Sequence, residues 1–220
     1  MCGRYTLHLQ KQKLAEAIAA ALPDDYEPDY NIGPGREVLT LALDPESGGA
    51  APGRMHWGLR TPQNFHINAR IETADTAPRF REGWAEHRCL VPANGFYEWY
   101  EDGLRKQPFY LYPESGNLLY FAGLWFPSQV DAHPASCVIL TTAANESVGP
   151  VHSRMPVLLD PSLHADWLRH KLGRGDAVAR SEATRLSAHT VSQRVNSVRN
   201  NDSSLIREVG ALADDQMLLF

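Results

Sequence analysis

Cysteine is scarce in this chain: residues 2, 89 and 137 are the three in 220, and no two of them form a CxxC pair. That excludes a disulfide framework or a cysteine-rich zinc site and suits a reducing compartment. Lysine is scarcer still for its class, with Lys11, Lys13, Lys106 and Lys171 alone, so arginine carries nearly all of the positive charge. A net charge of −5 excludes a polybasic tail or a uniformly cationic nucleic-acid surface, while leaving room for a small basic cleft. No apolar run approaches the ~20 residues that a membrane span needs. No apolar segment precedes Cys2, where a secretory or lipoprotein signal would place one. Repeats, low-complexity tracts and linkers long enough to separate a pair of domains are also missing. At 43% hydrophobic and 21% charged residues, the composition is that of a folded globular chain. The expectation is a soluble, cytoplasmic, monomeric protein with one domain over 1–220, using no cofactor, no metal and no membrane.

Leu14, Ile18 and Leu22 recur at helical spacing before Pro23, which predicts an amphipathic helix over 10–22. The stretch from Pro23 to Gly35 reads as an ordered surface loop. Strands are expected at Glu37–Leu43 and Met55–Leu59, then in a block at 89–100, 107–112, 118–126 and 136–143. Glu101-Asp102-Gly103 and Glu114-Ser115-Gly116-Asn117 read as hairpin turns between them. A strand at Pro156–Leu159 and a helix at Leu163–Leu172 follow, and the tail from Ser181 mixes both signals. Strands in a block with helices at the ends predict an α+β fold in one compact domain.

The chemistry begins at Cys2. Methionine removal favours a small second residue, so the mature chain would start with a free α-amine beside a thiol. Those groups titrate near ~8 and ~8.5 and are both nucleophilic at neutral pH. Such a 1,2-aminothiol can condense with an aldehyde and close to a thiazolidine. A small residue packed under the first strand is the ordinary reading of a Met-Cys start. Gly3 and Arg4 shift it, since glycine permits close approach of a ligand and an adjacent arginine favours thiolate and anion. In Ile67-Asn68-Ala69-Arg70-Ile71-Glu72-Thr73 an amide, a guanidinium and a carboxylate alternate, which in an extended segment places them on one face. Glu98 stands between Tyr97 and Trp99, a setting that raises a carboxyl pKa by desolvation and suits acid/base work; alone, a surface-paired strand Glu is the better reading. His152 and Arg154 precede a strand, and His152 is either a proton carrier or an ordinary loop histidine.

Taken in order, these blocks resemble one family, the SRAP family of SOS-response-associated peptidase-like, abasic-site processing proteins. The resemblance rests on Met1-Cys2-Gly3-Arg4-Tyr5, Tyr30-Asn31-Ile32-Gly33-Pro34-Gly35, Trp57-Gly58-Leu59, Ile67–Thr73, Cys89–Ala93 with Gly95–Trp99, and His152–Pro156. A fainter echo lies at His189–Ser192 and Val195-Asn196. The fold that the resemblance implies is a strand-rich, mixed or antiparallel barrel-like sheet core flanked by helices. What it implies is a thiazolidine DNA–protein crosslink between the mature Cys2 and the ring-opened abasic sugar of single-stranded DNA, with autopeptidase and lyase character. Under it Cys2 is the nucleophile, Asn68 senses the sugar, and Glu98 and His152 move protons. Arg4, Arg70 and Arg154 would hold phosphates, with Asn31 and Pro34 completing the DNA-binding set. Two departures stand out. The chain runs Arg60-Thr61-Pro62-Gln63-Asn64-Phe65-His66 where the family has a Pro-x-Trp wall, which leaves Phe65 or His66 for base stacking. Thr190 stands where a proline follows the histidine. The alternative is an N-terminal-nucleophile, glutamine amidotransferase-like hydrolase, which also begins Met-Cys-Gly but continues with an aliphatic residue in place of Arg4. A non-catalytic single-strand-binding module is disfavoured by the net charge.

Overall fold

The computed structural model describes residues 2–101, 103, 106–128 and 134–210. The chain opens with β1 (Tyr5–Leu7), α1 (Lys11–Ile18), β2 (Asp29–Ile32), β3 (Glu37–Leu43) and β4 (Ala50–Trp57). A short hairpin of β5 (Leu59–Arg60) and β6 (Phe65–His66) precedes β7 (Asn68–Arg70) and α2 (Arg81–Glu86). Then come β8 (Arg88–Ala93), β9 (Gly95–Glu101), β10 (Lys106–Pro113), β11 (Leu119–Phe126) and β12 (Ser136–Ala143). The C-terminal third holds β13 (Arg154–Pro156), α3 (His164–Leu168), α4 (Arg174–Ala183) and β14 (Leu186–Thr190), with single 3-10 turns at Gln193–Asn196 and Ser203–Ile206.

Five strands make an antiparallel sheet in the order β14-β10-β9-β1-β2. In the larger sheet β11, β8, β3, β4 and β12 close on themselves, because β11 pairs with β12 as well as with β8. Closure leaves those five strands paired on both sides, which removes the exposed edges an open sheet would carry. β7 and β13 attach to β12, β7 and β4 running parallel to it and β13 antiparallel. The fold is therefore α+β, as the strand blocks predicted, and strand-rich with a partly ring-like sheet, as the family resemblance implied. Tyr5, Trp57, Phe96 and Phe121 pack edge to face in the core, with centroids 5.4–6.0 Å apart. A second cluster joins Leu90, Leu124 and Leu140 to Ile71 and Trp167.

Several boundaries differ from the sequence expectation. α1 stops at Ile18, and Ala19 takes the left-handed conformation with φ 53°. Leu22 still reaches the core, but from the loop beyond the helix. Four residues of the expected Pro23–Gly35 loop, Asp29–Ile32, are β2, recruited by pairing with β1. The single strand expected over 89–100 is two strands in different sheets, broken at Asn94. Its side-chain oxygen accepts from the N–H groups of His8 (2.7 Å) and Leu9 (3.3 Å), turning the chain. Gly95 follows because a Cβ there would lie 2.6 Å from Leu111 O and from the Tyr110 hydroxyl. Glu114–Asn117 is no hairpin turn, since it joins β10 of one sheet to β11 of the other. β9 and β10 do pair antiparallel from Glu101↔Lys106, while Asp102 of their turn lies outside the described residues. The strand expected at Pro156–Leu159 is shifted to Arg154–Pro156, and the helix at Leu163–Leu172 ends at Leu168. Neither α2 nor α4 is visible in the apolar periodicity. α4 is locked by Ser181, whose Oγ accepts the Leu158 N–H at 2.8 Å, a contact that spacing along the chain does not reveal.

Candidate active site

Antiparallel pairing of β1 with β9 sets the first coordinate of the site. Tyr5 lies opposite Phe96 and the Tyr97 N–H donates to Arg4 O at 2.9 Å, so this register carries the segment ahead of β1 past Glu98. The second coordinate is β7, whose Asn68 stands opposite Ile139 of β12. Trp57, fully buried, donates its indole N–H to Ile67 O at 2.9 Å and fixes the approach to that strand. From there Asn68 Nδ2 donates to Cys2 O at 2.9 Å. Asn68 Oδ1 is buried and has no hydrogen-bond partner among the described residues. An acceptor buried without a donor is costly, about 1–3 kcal/mol, which marks the position as one prepared for a donor.

Cys2 is fully buried. Burial pushes its thiol well above the ordinary value, the negative charge of Glu98 pushes the same way, and the backbone N–H of Arg4 opposes both. The side chain of Arg4 does not serve the thiolate as the sequence suggested. It turns away, donating from one guanidinium nitrogen to Asn31 Oδ1 and to Val195 O, each at 2.7 Å. Glu98 on β9 is 2% exposed. Burial raises its carboxyl pKa, with the charge of His152 acting in the opposite sense. His152 sits on the turn before β13, its N–H bonded to Val148 O at 3.0 Å. Its Nδ1 lies 2.9 Å from Arg154 N and 3.0 Å from Arg154 O. Four groups from distant segments thus meet: an acceptor-donor amide, a carboxyl primed to hold a proton, an imidazole and a thiol. Together they can open and trap an electrophilic carbon.

The residues expected at phosphates divide. Arg70, at the end of β7, is exposed and makes no side-chain hydrogen bond or ion pair to another described residue. Arg154 is instead gripped by Glu72 in a forked pair, at 2.5 and 2.9 Å, and donates to Thr141 O at 2.7 Å. Glu72 does not share a strand face with Asn68 and Arg70, because β7 ends at Arg70 and the chain turns. Asn31 is fully buried and its amide donates to the carbonyls of Val195, Ser197 and Asn200. It tethers the 195–200 segment to β2. Pro34 is half-buried at the turn that follows, beside Gly33, where a Cβ would press on Val198 and Arg4. At the β5–β6 hairpin Phe65 is 39% exposed and lies on Gly58, which has a φ of +134° and where a Cβ would meet the ring at 2.0 Å. The Arg60 guanidinium stands 5.3 Å from the same ring. His66 is engaged with Arg79 at 3.2 Å. Sequence reading gives Asn94 and Thr141 no role, and it names Glu72 only as the carboxylate of the Ile67–Thr73 block, with no part in the site. Among the described residues no group of three or more His, Cys, Asp or Glu is placed to hold a metal ion.

Comparison with known proteins adds an independent line. The family model for SOS response associated peptidase (SRAP) matches residues 1–198. The abasic site processing protein YedK of Escherichia coli is 34% identical, over 95% of this chain and 100% of its own length. YoqW of Bacillus subtilis, also named an abasic site processing protein, is 35% identical over 94% of this chain and 99% of its own. Among solved structures, a phage-related protein from Bordetella bronchiseptica superimposes with a TM-score of 0.70 at 28% identity, covering 87% of this chain and 95% of its own.

Proposed function

The chain belongs to the SOS response associated peptidase (SRAP) family, and from that premise we propose that it senses and processes abasic sites in single-stranded DNA, as one cytoplasmic, monomeric domain over 1–220. The observation that carries this reading is the meeting of Cys2, Asn68, Glu98 and His152 from separate segments, tied by the 2.9 Å bond from Asn68 Nδ2 to Cys2 O. Removal of Met1 frees the α-amine of Cys2. A closed abasic sugar must first open: a base takes the C1 hydroxyl proton as an acid protonates the ring oxygen, and the ring C–O bond breaks to give the aldehyde. Glu98 and His152 supply that acid and base. The amine then adds to the aldehyde carbon and water leaves, giving an imine. The thiol sulfur adds to the imine carbon and its proton goes to the nitrogen, which closes a thiazolidine.

Asn68 supports the first step through its unpartnered Oδ1, which is suited to accept from a sugar hydroxyl. Arg70 is the phosphate contact ready to act, whereas Arg4 and Arg154 reach phosphates only by exchanging the partners they hold. Asn31 and Pro34 act by shaping the rim. Phe65 offers the ring face on which a flanking base stacks.

The test uses uracil-containing single-stranded DNA treated with uracil glycosylase, followed by a denaturing gel. Wild type should give a heat-stable adduct, and intact mass should show Met1 gone. Cys2→Ala, mature with an N-terminal alanine, keeps an amine but no thiol, so it should be trapped only with borohydride. A heat-stable adduct from Cys2→Ala without reductant would overturn the thiazolidine step.

A further inference from the structure

Glu72 lies outside the four reacting groups, yet it is connected to one of them by an unbroken set of short contacts. Its carboxylate forks onto the Arg154 guanidinium at 2.5 and 2.9 Å, and Arg154 is anchored on its other side by Thr141 O at 2.7 Å. This paired fork is the strong geometry for arginine and carboxylate, and the Arg154 side chain is only 16% exposed. The hydrogen bonds and charge of Arg154 lower the Glu72 pKa, so the carboxylate stays ionised through neutral pH. Arg154 in turn holds the His152 ring through its own main chain, with both N (2.9 Å) and O (3.0 Å) in reach of Nδ1.

We propose that Glu72 is a positioning residue for His152, clamping Arg154 so that its peptide groups hold the imidazole at Nδ1 and leave Nε2 as the nitrogen that handles protons. The double contact at Nδ1 matters for how the ring works. When Nδ1 is bare it accepts the Arg154 N–H, and Nε2 carries the proton as a donor. When Nδ1 is protonated it donates to Arg154 O, and Nε2 is a base or, in the cation, an acid. Every protonation form therefore finds a partner without the ring turning, and the partner atom at Nδ1 selects the role of Nε2. The charged groups that act on the ring are Glu98 of β9, through its charge, and Arg154 of β13, through its main chain; the Cys2 thiol stands next to Glu98, and Glu72, with Arg70 beside it, stands behind Arg154. Arg154 thereby has a second duty that its place in a motif beside His152 does not reveal.

The inference rests on the proposed crosslinking reaction for its kinetic readout, and a spectroscopic one stands apart from it. Crosslinking rates as a function of pH should be measured for wild type, Glu72→Gln, Glu72→Ala, His152→Ala and the His152→Ala/Glu72→Ala double variant. Glu72→Ala should slow crosslinking about tenfold and move the limb of the pH profile that His152→Ala removes. Glu72→Gln, which keeps one acceptor for Arg154, should lie between. In the His152→Ala background Glu72→Ala should cost less than about twofold, the mark of two residues acting through one contact. Equal slowing in both backgrounds would overturn the proposal and assign Glu72 to Arg154 and the DNA alone. Separately, two-bond proton–nitrogen NMR of histidine-labelled protein, with His152→Ala for assignment, reports the ring directly. The His152 ring nitrogen shifts should change in Glu72→Ala as the Arg154 main chain loosens at Nδ1, with Glu72→Gln between it and wild type. Unchanged ring shifts would overturn the proposal even if the kinetics agreed. Should wild type form no crosslink, the reaction fails while the NMR comparison still decides the role of Glu72.

Discussion

At the scale of single residues, the site is built from groups whose burial opposes their charge. Glu98 is the sharpest case, because its carboxyl pKa is raised by burial from an ordinary value of 4.5. Folding then favours the protonated acid, so the stability this residue contributes is complete below its ordinary value and is lost as pH rises through the higher folded value. Glu98→Gln removes the ionised form altogether. Thermal unfolding at several pH values should find this variant more stable than wild type near pH 8, by about 2–4 °C for each kcal/mol of relieved penalty, with the two curves converging below about pH 4.5. A variant less stable than wild type at pH 8 would show that the ion is compensated rather than strained. Under the proposed function the same change should slow crosslinking by roughly 10²–10⁴-fold. A destabilising residue kept where chemistry needs it is the expected trade between stability and activity.

At the scale of elements, the short helices are held by particular side chains rather than by propensity. α2 has six residues and α3 five, too short to be stable alone in water. Arg88 at the start of β8 lies between the rings of Trp84 and Trp167, 4.4 Å from each, and donates to the carbonyls of Trp84 and Leu172. Its pKa is lowered to about 10 by burial. Cation–π contacts of this kind contribute about 0.5–2 kcal/mol each, and both carbonyls would lose this donor without it. Arg88→Ala should therefore lower stability by about 3 kcal/mol in chemical denaturation, with amide exchange rising first in α2 and α3; a loss under about 1 kcal/mol would show the sandwich to be decorative. The β5–β6 hairpin makes the opposite kind of contribution. Phe65 is 39% exposed, so Phe65→Ala should leave the melting temperature nearly unchanged. In fluorescence anisotropy it should weaken binding of abasic single-stranded DNA by about 1–3 kcal/mol, the worth of one stacked base. Unchanged affinity would remove the hairpin from the proposed DNA path.

At the scale of the whole molecule, the charge distribution bounds how the chain holds a polyanion. Net charge is −5, and two of the three arginines expected at phosphates are already engaged within the fold, Arg4 by Asn31 and Val195 and Arg154 by Glu72. The logarithmic salt dependence of non-covalent binding, read with Cys2→Ala on single-stranded DNA, should thus lie nearer about −0.7, one phosphate contact, than about −2, three contacts. A slope steeper than about −4 would require a cationic footprint much wider than Arg70 supplies. Specificity in that case could not come from the lesion alone. No helix among the described residues is long and apolar enough to cross a membrane.

The sequence by itself determined the α+β class, the strands from Glu37 to Leu43 and from 107 to 143, and the blocks that carry Cys2, Asn68, Glu98 and His152. These follow from alternation, turn residues and short motifs, all of which act between near neighbours and are written along the chain. Only the tertiary structure decided where Asn94 splits one apparent strand between two sheets, that β11 and β12 close a ring, and which cations remain available. Arg4, Arg70 and Arg154 are the same residue type in similar motifs, yet one is tied to Asn31, one is exposed and one is clamped by Glu72, a partner 82 residues away. An ion pair or a buried hydrogen bond depends on distance in space and on exclusion of water, and both exist only once strands far apart in sequence have been brought side by side.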